Sequence, residues 1–470
     1  MSDNDLIDVQ EIAPAEVGEI DLYQHREKIY TRKMEGFFQR LRLLTGWPLL
    51  IGYFLLPWLS WDERQAVLFD LPARKFHILG LTFWPQDFPM LAFLLIIAAF
   101  SLFTVTVFAG RVWCGYTCPQ TVWTSIFMWL EQFSEGSRNQ RVRLDKAPWT
   151  LEKLGRKLLK HGSWLFVAFA TGLTFVGYFY PIKDLSYEFI TLSSGQWQML
   201  WTLFFTCATY INAGWLREQV CMYMCPYARF QSVMFDHDTL IVSYDAKRGE
   251  ARGSRKRGSD HRAANLGDCV DCELCVQVCP TGIDIRDGLQ YQCIGCALCI
   301  DACDSIMAKM EYPKGLIRYT SERELEGDKT HWARPRIIAY MIVLCIMIGV
   351  FSYNVFSRIP VELTVIRDRT ELYLLTDDGQ IENIYTLQLV NMDRSMHEFQ
   401  ISISGITGAA IIGETLHTLN GGEVRSVTLR VSAAPDTIDK PSTQLDFSAI
   451  ATDQPLLQAK SESRFMKPVN

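Results

Sequence analysis

Cys269-Val-Asp-Cys272-Glu-Leu-Cys275-Val-Gln-Val-Cys279-Pro280, then Cys293-Ile-Gly-Cys296-Ala-Leu-Cys299-Ile-Asp-Ala-Cys303-Asp304, write one spacing twice, C-x2-C-x2-C-x3-C. Three thiolates two residues apart can wrap one face of an iron–sulfur cubane, with the intervening amides turned towards its sulfides. The fourth cysteine then leaves on a helix and ligates the other cluster. The spacing therefore predicts two [4Fe-4S] clusters with crossed ligation. Cys269, Cys272, Cys275 and Cys303 hold the first, and Cys293, Cys296, Cys299 and Cys279 the second. A zinc site would show two CxxC pairs with a longer gap. The second run has Asp304 where the first has Pro280, so the turn after its last cysteine is expected to differ.

Outward from these runs, cysteine use is confined. All 14 cysteines of the 470-residue chain lie between Cys114 and Cys345. At about 3% they fall well below the density of a disulfide scaffold. Aromatic residues make up 12% of the chain, which excludes global disorder. The net charge of −6 argues against a nucleic-acid binder. A mean hydropathy of +0.05 at 21% charged residues points to an average over very apolar and very polar stretches.

Five stretches read as membrane spans, each close to the 20 or so residues a bilayer requires. They are residues 43–61, 90–109, 164–180, 197–216 and 337–356. Basic residues concentrate before the first (Arg26, Lys28, Arg32, Lys33, Arg40, Arg42) and between the second and third (from Arg111 to Lys160). The other two connections are nearly free of them. The positive-inside rule then puts the N-terminus and every extramembrane cysteine in the cytoplasm, and the C-terminal tail on the far side. The acidic start, Met-Ser-Asp-Asn-Asp, is not a signal peptide. Trp58, Trp61 and Trp84 stand where interfacial anchors are expected. Thiols on the reducing side read as ligands or redox groups rather than disulfides.

Two more pairs share a second spacing. Cys114-x3-Cys118-Pro119 follows the second stretch, and Cys221-x3-Cys225-Pro226 the fourth, each a few residues after an arginine, Arg111 or Arg217. Proline favours the first helical position, so Cys118 and Cys225 become helix N-caps, where free amides and the dipole favour thiolate. Parallel hairpins would bring all four thiols to one membrane surface as the catalytic set. The alternative is small buried hydrophobes at helix ends. Met222 and Met224, inside the second pair, offer thioethers that suit Cu(I) beside thiolates, or simply pack. Cys207 and Cys345 fall inside spans and are expected to pack, with a thiol relay as the sharper reading.

Residues 247–262 hold seven basic residues and read as a solvated linker or a contact for anionic lipid. No C-x-x-C-H, P-loop or Gly-rich dinucleotide motif occurs. His161 and His331 read as ordinary surface histidines, with a headgroup or quinone contact as the functional option. From Val361 onward the period becomes alternating: Tyr385, Leu387 and Leu389; Phe399, Ile401 and Ile403; Val427, Leu429 and Val431; Leu445, Phe447 and Ala449. About seven short strands are expected, forming a sandwich.

The chain resembles the cytochrome c oxidase accessory proteins of the CcoG (FixG/RdxA) family over nearly its whole length. The likeness rests on Cys114-Gly-Tyr-Thr-Cys118-Pro-Gln-Thr-Val-Trp123, Cys221-Met-Tyr-Met-Cys225-Pro-Tyr-Ala-Arg-Phe-Gln-Ser232, the paired cysteine runs and Tyr312-Pro-Lys-Gly-Leu-Ile-Arg-Tyr319. The resemblance implies a bacterial inner-membrane protein with two [4Fe-4S] clusters and an immunoglobulin-like C-terminal domain. It implies reduction of Cu(II) to Cu(I), copper being the substrate, during assembly of a haem–copper oxidase. The implied neighbours are membrane lipid, a copper-exporting P-type ATPase and cytochrome c oxidase subunits. The electron donor stays open, and a homodimer is one allowed assembly.

The expected architecture is a multi-domain integral membrane protein. Its segments are a cytoplasmic stretch (1–42), a four-span α-helical domain (43–235), an inserted dicluster ferredoxin-like α+β domain (236–334), a fifth span (335–356) and a periplasmic all-β immunoglobulin-like sandwich (357–470). Two other readings stand beside the cupric reductase. One is a quinol-dehydrogenase polyferredoxin that passes electrons without copper, and the other is a non-enzymatic assembly scaffold.

Overall fold

The computed structural model describes residues 28–61, 64–260, 264–393, 395–438 and 440–468. The chain divides into two compact units, residues 1–72 with 99–340 and residues 73–98 with 341–470.

Three helical segments are long and apolar enough to cross a membrane: Phe37–Trp58, Pro85–Ala109 and Pro335–Phe356. The first starts six residues before the stretch expected from hydropathy. It runs as an α-helix over Phe37–Leu55, carrying Pro48 inside, and closes with a 3-10 turn, Leu56–Trp58. The third and fourth expected stretches are also helical. The Leu151–Val176 helix follows the charged helix Arg138–Lys146, with Thr150 capping the Lys153 amide at 3.2 Å. The Gln196–Thr209 helix continues as a π-helical segment, Tyr210–Leu216. These two helices pack closely at Gly172, where a Cβ would lie 2.7 Å from the Thr202 carbonyl oxygen. Trp84, expected as an interfacial anchor, is buried instead, with the Lys75 ammonium 4.8 Å from its ring. The connection after the first segment also carries short strands, among them Lys75–Ile78 paired with Leu81–Phe83.

Between the hydrophobic helices lies the Pro119–Glu135 helix. It buries Val122, Phe127, Glu131 and Glu135 along one face, and the Trp164 indole donates to the Phe127 carbonyl at 3.0 Å. The cysteine runs sit on a small frame. Strand Ile241–Tyr244 pairs antiparallel with Ile317–Thr320, and helix Leu274–Gln277 carries Cys275 while helix Leu298–Met310 carries Cys299 and Cys303. The expected difference after the last cysteines has a local cause. Pro280 cannot continue a helix, and the first stops at Gln277. Asp304 lets the second run on to Met310 and accepts a bond from the Gly315 amide at 2.9 Å.

The C-terminal residues form an antiparallel sandwich. One sheet orders Ala410–Ile412, Val424–Ala433, Ile381–Asn391 and Val361–Arg367, with Leu374–Leu375 also on Ile381–Asn391. The other orders Leu416–Leu419, His397–Ser404, Ser442–Ala451 and Gln458–Met466. Nine strands are described where about seven were expected, because Leu374–Leu375 and Ala410–Ile412 are too short to show an alternating pattern. The inward residues are those of the alternation: Tyr385, Leu387, Leu389, Phe399, Ile401, Leu429, Val431, Leu445, Phe447 and Ala449 are all buried.

Candidate metal and electron-transfer site

The two cysteine runs share an unusual backbone. In each, the residues on both sides of the central cysteine take positive φ: Asp271 (51°) and Glu273 (52°) around Cys272, Gly295 (65°) and Ala297 (59°) around Cys296. Two left-handed residues curl each loop tightly around its own thiols. One cavity is lined by Cys269, Cys272, Cys275 and Cys303, closed by Tyr244, Met307 and Leu316. A second is lined by Cys293, Cys296, Cys299 and Cys279, with Cys275 at its edge, closed by Val242, Ile285 and Ile294. The fourth cysteine of each run thus faces the cavity of the other run.

The donor set is all sulfur and the walls are apolar. Burial pushes the Cys275, Cys293 and Cys303 thiols up to about 12, so a metal must displace their protons to bind. Among the described residues, no three His, Cys, Asp or Glu gather around a point small enough for one metal ion. Four thiols facing each apolar cavity suit a multi-iron group. The residues fit [4Fe-4S] clusters, which when bound would carry single electrons.

The CxxxCP motifs converge on this frame. Cys118 and Cys225 are the N-caps of helices Pro119–Glu135 and Pro226–Met234, each with proline at the first turn. Cys114 Sγ donates to Gln231 Oε1 at 3.4 Å, which ties the first motif to the helix that follows the second. The thiols are near enough to repel as thiolates: Cys114 feels Cys118 and Cys221, Cys118 feels Cys225, and Cys221 feels Cys118 and Cys225. Burial is the main cause holding Cys114 and Cys221 up at about 12, and it also raises Cys118. Against it, the Thr121 and Gln120 amides at the helix start pull Cys118 down. Met222 is half-buried and Met224 exposed on the π-helical turn Val220–Met224.

Between the thiols and the second cluster loop stands Arg111, buried. Its guanidinium donates to the carbonyls of Tyr291 and Ala228, and to that of Cys293 at 3.4 Å. Burial lowers it, and Cys114, Cys293, Cys221 and Cys225 each favour its charge. Gly115 presses directly on the same loop, where a Cβ would stand 2.9 Å from Cys296 Cα and from the Gly295 carbonyl oxygen. Tyr319 donates to the Gly295 carbonyl at 2.5 Å and meets the Tyr116 hydroxyl at 3.2 Å.

Three features lay outside the sequence reading or differ from it. Glu131 and Glu135, fully buried, sit in a network with Arg141 (3.1 Å from Glu131), Arg217 (2.9 Å), Lys157 and Lys160 (each 2.8 Å from Glu135). It joins the helix that starts after Cys118 to the turn that precedes Cys221. Paired carboxylates at i, i+4 on an otherwise apolar face were the available signal. Residues 256–260 are exposed as a solvated linker would be, but residues 247–255 are not uniformly so. Arg255 donates to the Gly267 and Cys269 carbonyls (2.7 and 3.3 Å) and Arg248 to Asp268 (2.6 Å), bracing the first cysteine loop. Residues 261–263 lie outside the described residues. Cys207 and Cys345 are exposed rather than packed, because they stand on outward faces of apolar helices.

The chain is 37% identical over 456 residues to the nitrogen fixation protein FixG of Rhizobium meliloti, covering 89% of this chain and 86% of that one. It belongs to the FixG/RdxA family. Protein RdxB of Cereibacter sphaeroides, of the same family, is 39% identical over 404 residues, covering 83% of this chain and 84% of the relative. Family models match in three places: a 4Fe-4S binding domain over residues 90–134, a 4Fe-4S dicluster domain over 216–322, and the immunoglobulin-like fold at the C-terminus of FixG over 351–468. The crystal structure of a FixG-related protein from Vibrio parahaemolyticus is 27% identical and covers 23% of this chain and 98% of its own, at a TM-score of 0.22. As a FixG/RdxA-type protein the chain is a membrane iron–sulfur redox protein. Its dicluster match spans all eight cysteines of the paired runs, and the 90–134 match takes in Cys114 and Cys118.

Proposed function

We propose that this protein is a cupric reductase that supplies Cu(I) for assembly of a haem–copper oxidase. Electrons pass through two [4Fe-4S] clusters, on Cys269, Cys272, Cys275 and Cys303 and on Cys293, Cys296, Cys299 and Cys279, to Cu(II) near the CxxxCP thiols, Cys114, Cys118, Cys221 and Cys225. The observation that carries the reading is the convergence of these four thiols, from two distant motifs, against the second cluster loop. A soft, four-sulfur set stabilises Cu(I) over Cu(II) and draws the one-electron step forward. Each turnover takes one electron from a reduced cluster and converts one Cu(II) to Cu(I). Met222 and Met224, inside the second motif, are further soft donors for Cu(I).

In this reading the helices Leu151–Val176 and Gln196–Thr209 complete a five-span bundle in the bacterial inner membrane. The N-terminus and cluster domain are cytoplasmic, and the sandwich is periplasmic. A copper-exporting ATPase and oxidase subunits are the proposed partners. The test is to purify the chain anaerobically, reduce it, add Cu(II), and follow cluster oxidation by EPR and Cu(I) with a chelator. Stoichiometric Cu(I) is expected, and its loss on changing Cys114, Cys118, Cys221 and Cys225 to Ser. Fully loaded, reduced protein that forms no Cu(I) refutes the copper reading.

A further inference from the structure

We infer that the two clusters act in a fixed order, the first receiving electrons from a donor and the second passing them to the CxxxCP thiols, with Arg111 as the positioning residue at the exit. The inference rests on the copper reading only for the final acceptor.

The two cysteine loops have different surroundings. Residues 111–116, which contain Cys114, are fastened to residues 291–296 of the second loop at three points: the Arg111 guanidinium on the Tyr291 and Cys293 carbonyls, the Gly115 backbone against Cys296 Cα, and the Tyr116–Tyr319–Gly295 bridge. Cys114 also packs on an apolar group that joins Ile294, Cys296 and Leu298 of the second run to Leu274 and Val278 of the first. A side chain at position 115 would force these two backbones apart, so glycine sets the closest approach between motif and cluster.

The first loop is braced from its own domain, by Arg255, Arg248 and the Arg286–Asp271 pair at 2.6 Å. Its outer turn, Asp271, Cys272 and Glu273, is exposed, whereas Ile294 to Leu298 of the second loop are all buried. Electron tunnelling weakens steeply with distance. A donor therefore reaches the exposed first loop, and the thiols take electrons from the second. Arg111 places a positive charge beside Cys293, where it favours the added electron.

The test uses the full chain, reduced anaerobically, with EPR-monitored redox titration. Cys272→Ser and Cys299→Ser variants identify which signal belongs to which cluster. In Arg111→Gln the second cluster is expected to lose at least tenfold in its reduced-to-oxidised ratio at a fixed poise, about 59 mV for one electron, while the first stays put. Arg111→Lys, which keeps the charge, is expected to restore most of the ratio. Should the glutamine variant not fold, the Co(II) arm on the wild-type protein decides the order. Equal shifts in both clusters, or a shift in the first alone, overturn the inference.

A second arm adds Co(II), which thiolates hold without being reduced, and compares spin relaxation. Faster relaxation of the second cluster's signal is expected, and faster relaxation of the first overturns the order. If the Arg111 result holds but the reduced wild type forms no Cu(I), the order stands and the copper reading falls.

Discussion

Glu131→Gln tests whether buried charge holds the two CxxxCP motifs together. Glu131 is fully buried, with Arg141 at 3.1 Å, Arg217 at 2.9 Å, Lys28 at 3.6 Å and Lys160 at 3.9 Å. Burial alone would raise the carboxyl, but Arg217, Lys28, Arg141 and Lys160 together hold it below its ordinary value. The amide removes the negative charge and leaves Arg141 and Arg217, whose side chains are only 1% and 10% exposed, facing a neutral group. Breaking a buried pair from one side costs about 3–5 kcal/mol, most of it from the stranded partner.

At about 2–4 °C per kcal/mol for a large domain, the thermal transition should fall by about 10 °C. The assay is thermal unfolding in detergent, for Glu131→Gln, Arg217→Met and the double variant. The double should lose less than the sum, because Arg217→Met removes one of the stranded cations. The folded carboxyl is depressed, so its contribution is present above its unfolded value and is lost as pH falls through the folded one. The wild-type advantage over Glu131→Gln should therefore shrink on acidification. A loss below about 1 kcal/mol at neutral pH, or strict additivity in the cycle, refutes the reasoning.

In Gly172→Val the new side chain meets the Thr202 carbonyl and the Thr206 amide, whose backbone cannot yield. A loss of about 1–3 kcal/mol is expected in the thermal transition, and an unchanged midpoint would mean these helices are not in close contact. Phe447→Ala empties a fully buried position in the sandwich and should cost about 3–5 kcal/mol, read as a drop in that unit's transition while the cluster EPR signals keep their shape. His397 is buried, which lowers its pKa, but Asp393 at 2.8 Å and Asp453 at 2.6 Å more than compensate and the net shift is upward. Its stabilisation is full below the unfolded histidine value and fades as pH rises through the folded one. His397→Gln should therefore flatten the sandwich's stability profile on the alkaline side, and an identical profile for both proteins would contradict the assignment.

Patterns with a short period were legible in the chain. The cysteine spacing predicted loops that curl around their own thiols, and the left-handed residues at Asp271, Glu273, Gly295 and Ala297 repeat that curl in both runs. Prolines 119 and 226 foretold the caps at Cys118 and Cys225. Alternation from Val361 onward foretold the inward faces of the sandwich. The short strands were missed because two or three residues carry no period. The bracing role of Arg255 was missed because a basic run looks the same whether water or a carbonyl meets it.

The sequence by itself determined which residues curl, cap, alternate and run apolar, since each of these depends on neighbours a few positions away. Tertiary structure alone decided that Cys114 meets the Gln231 side chain, that Glu131 and Arg217 neutralise each other out of water, and that Gly115 lies on Cys296 rather than on the first loop. These contacts join residues about 90 to 180 positions apart, where chain connectivity sets no distance. They exist because burying apolar helix faces draws the segments together, and the buried charges and thiols must then find partners.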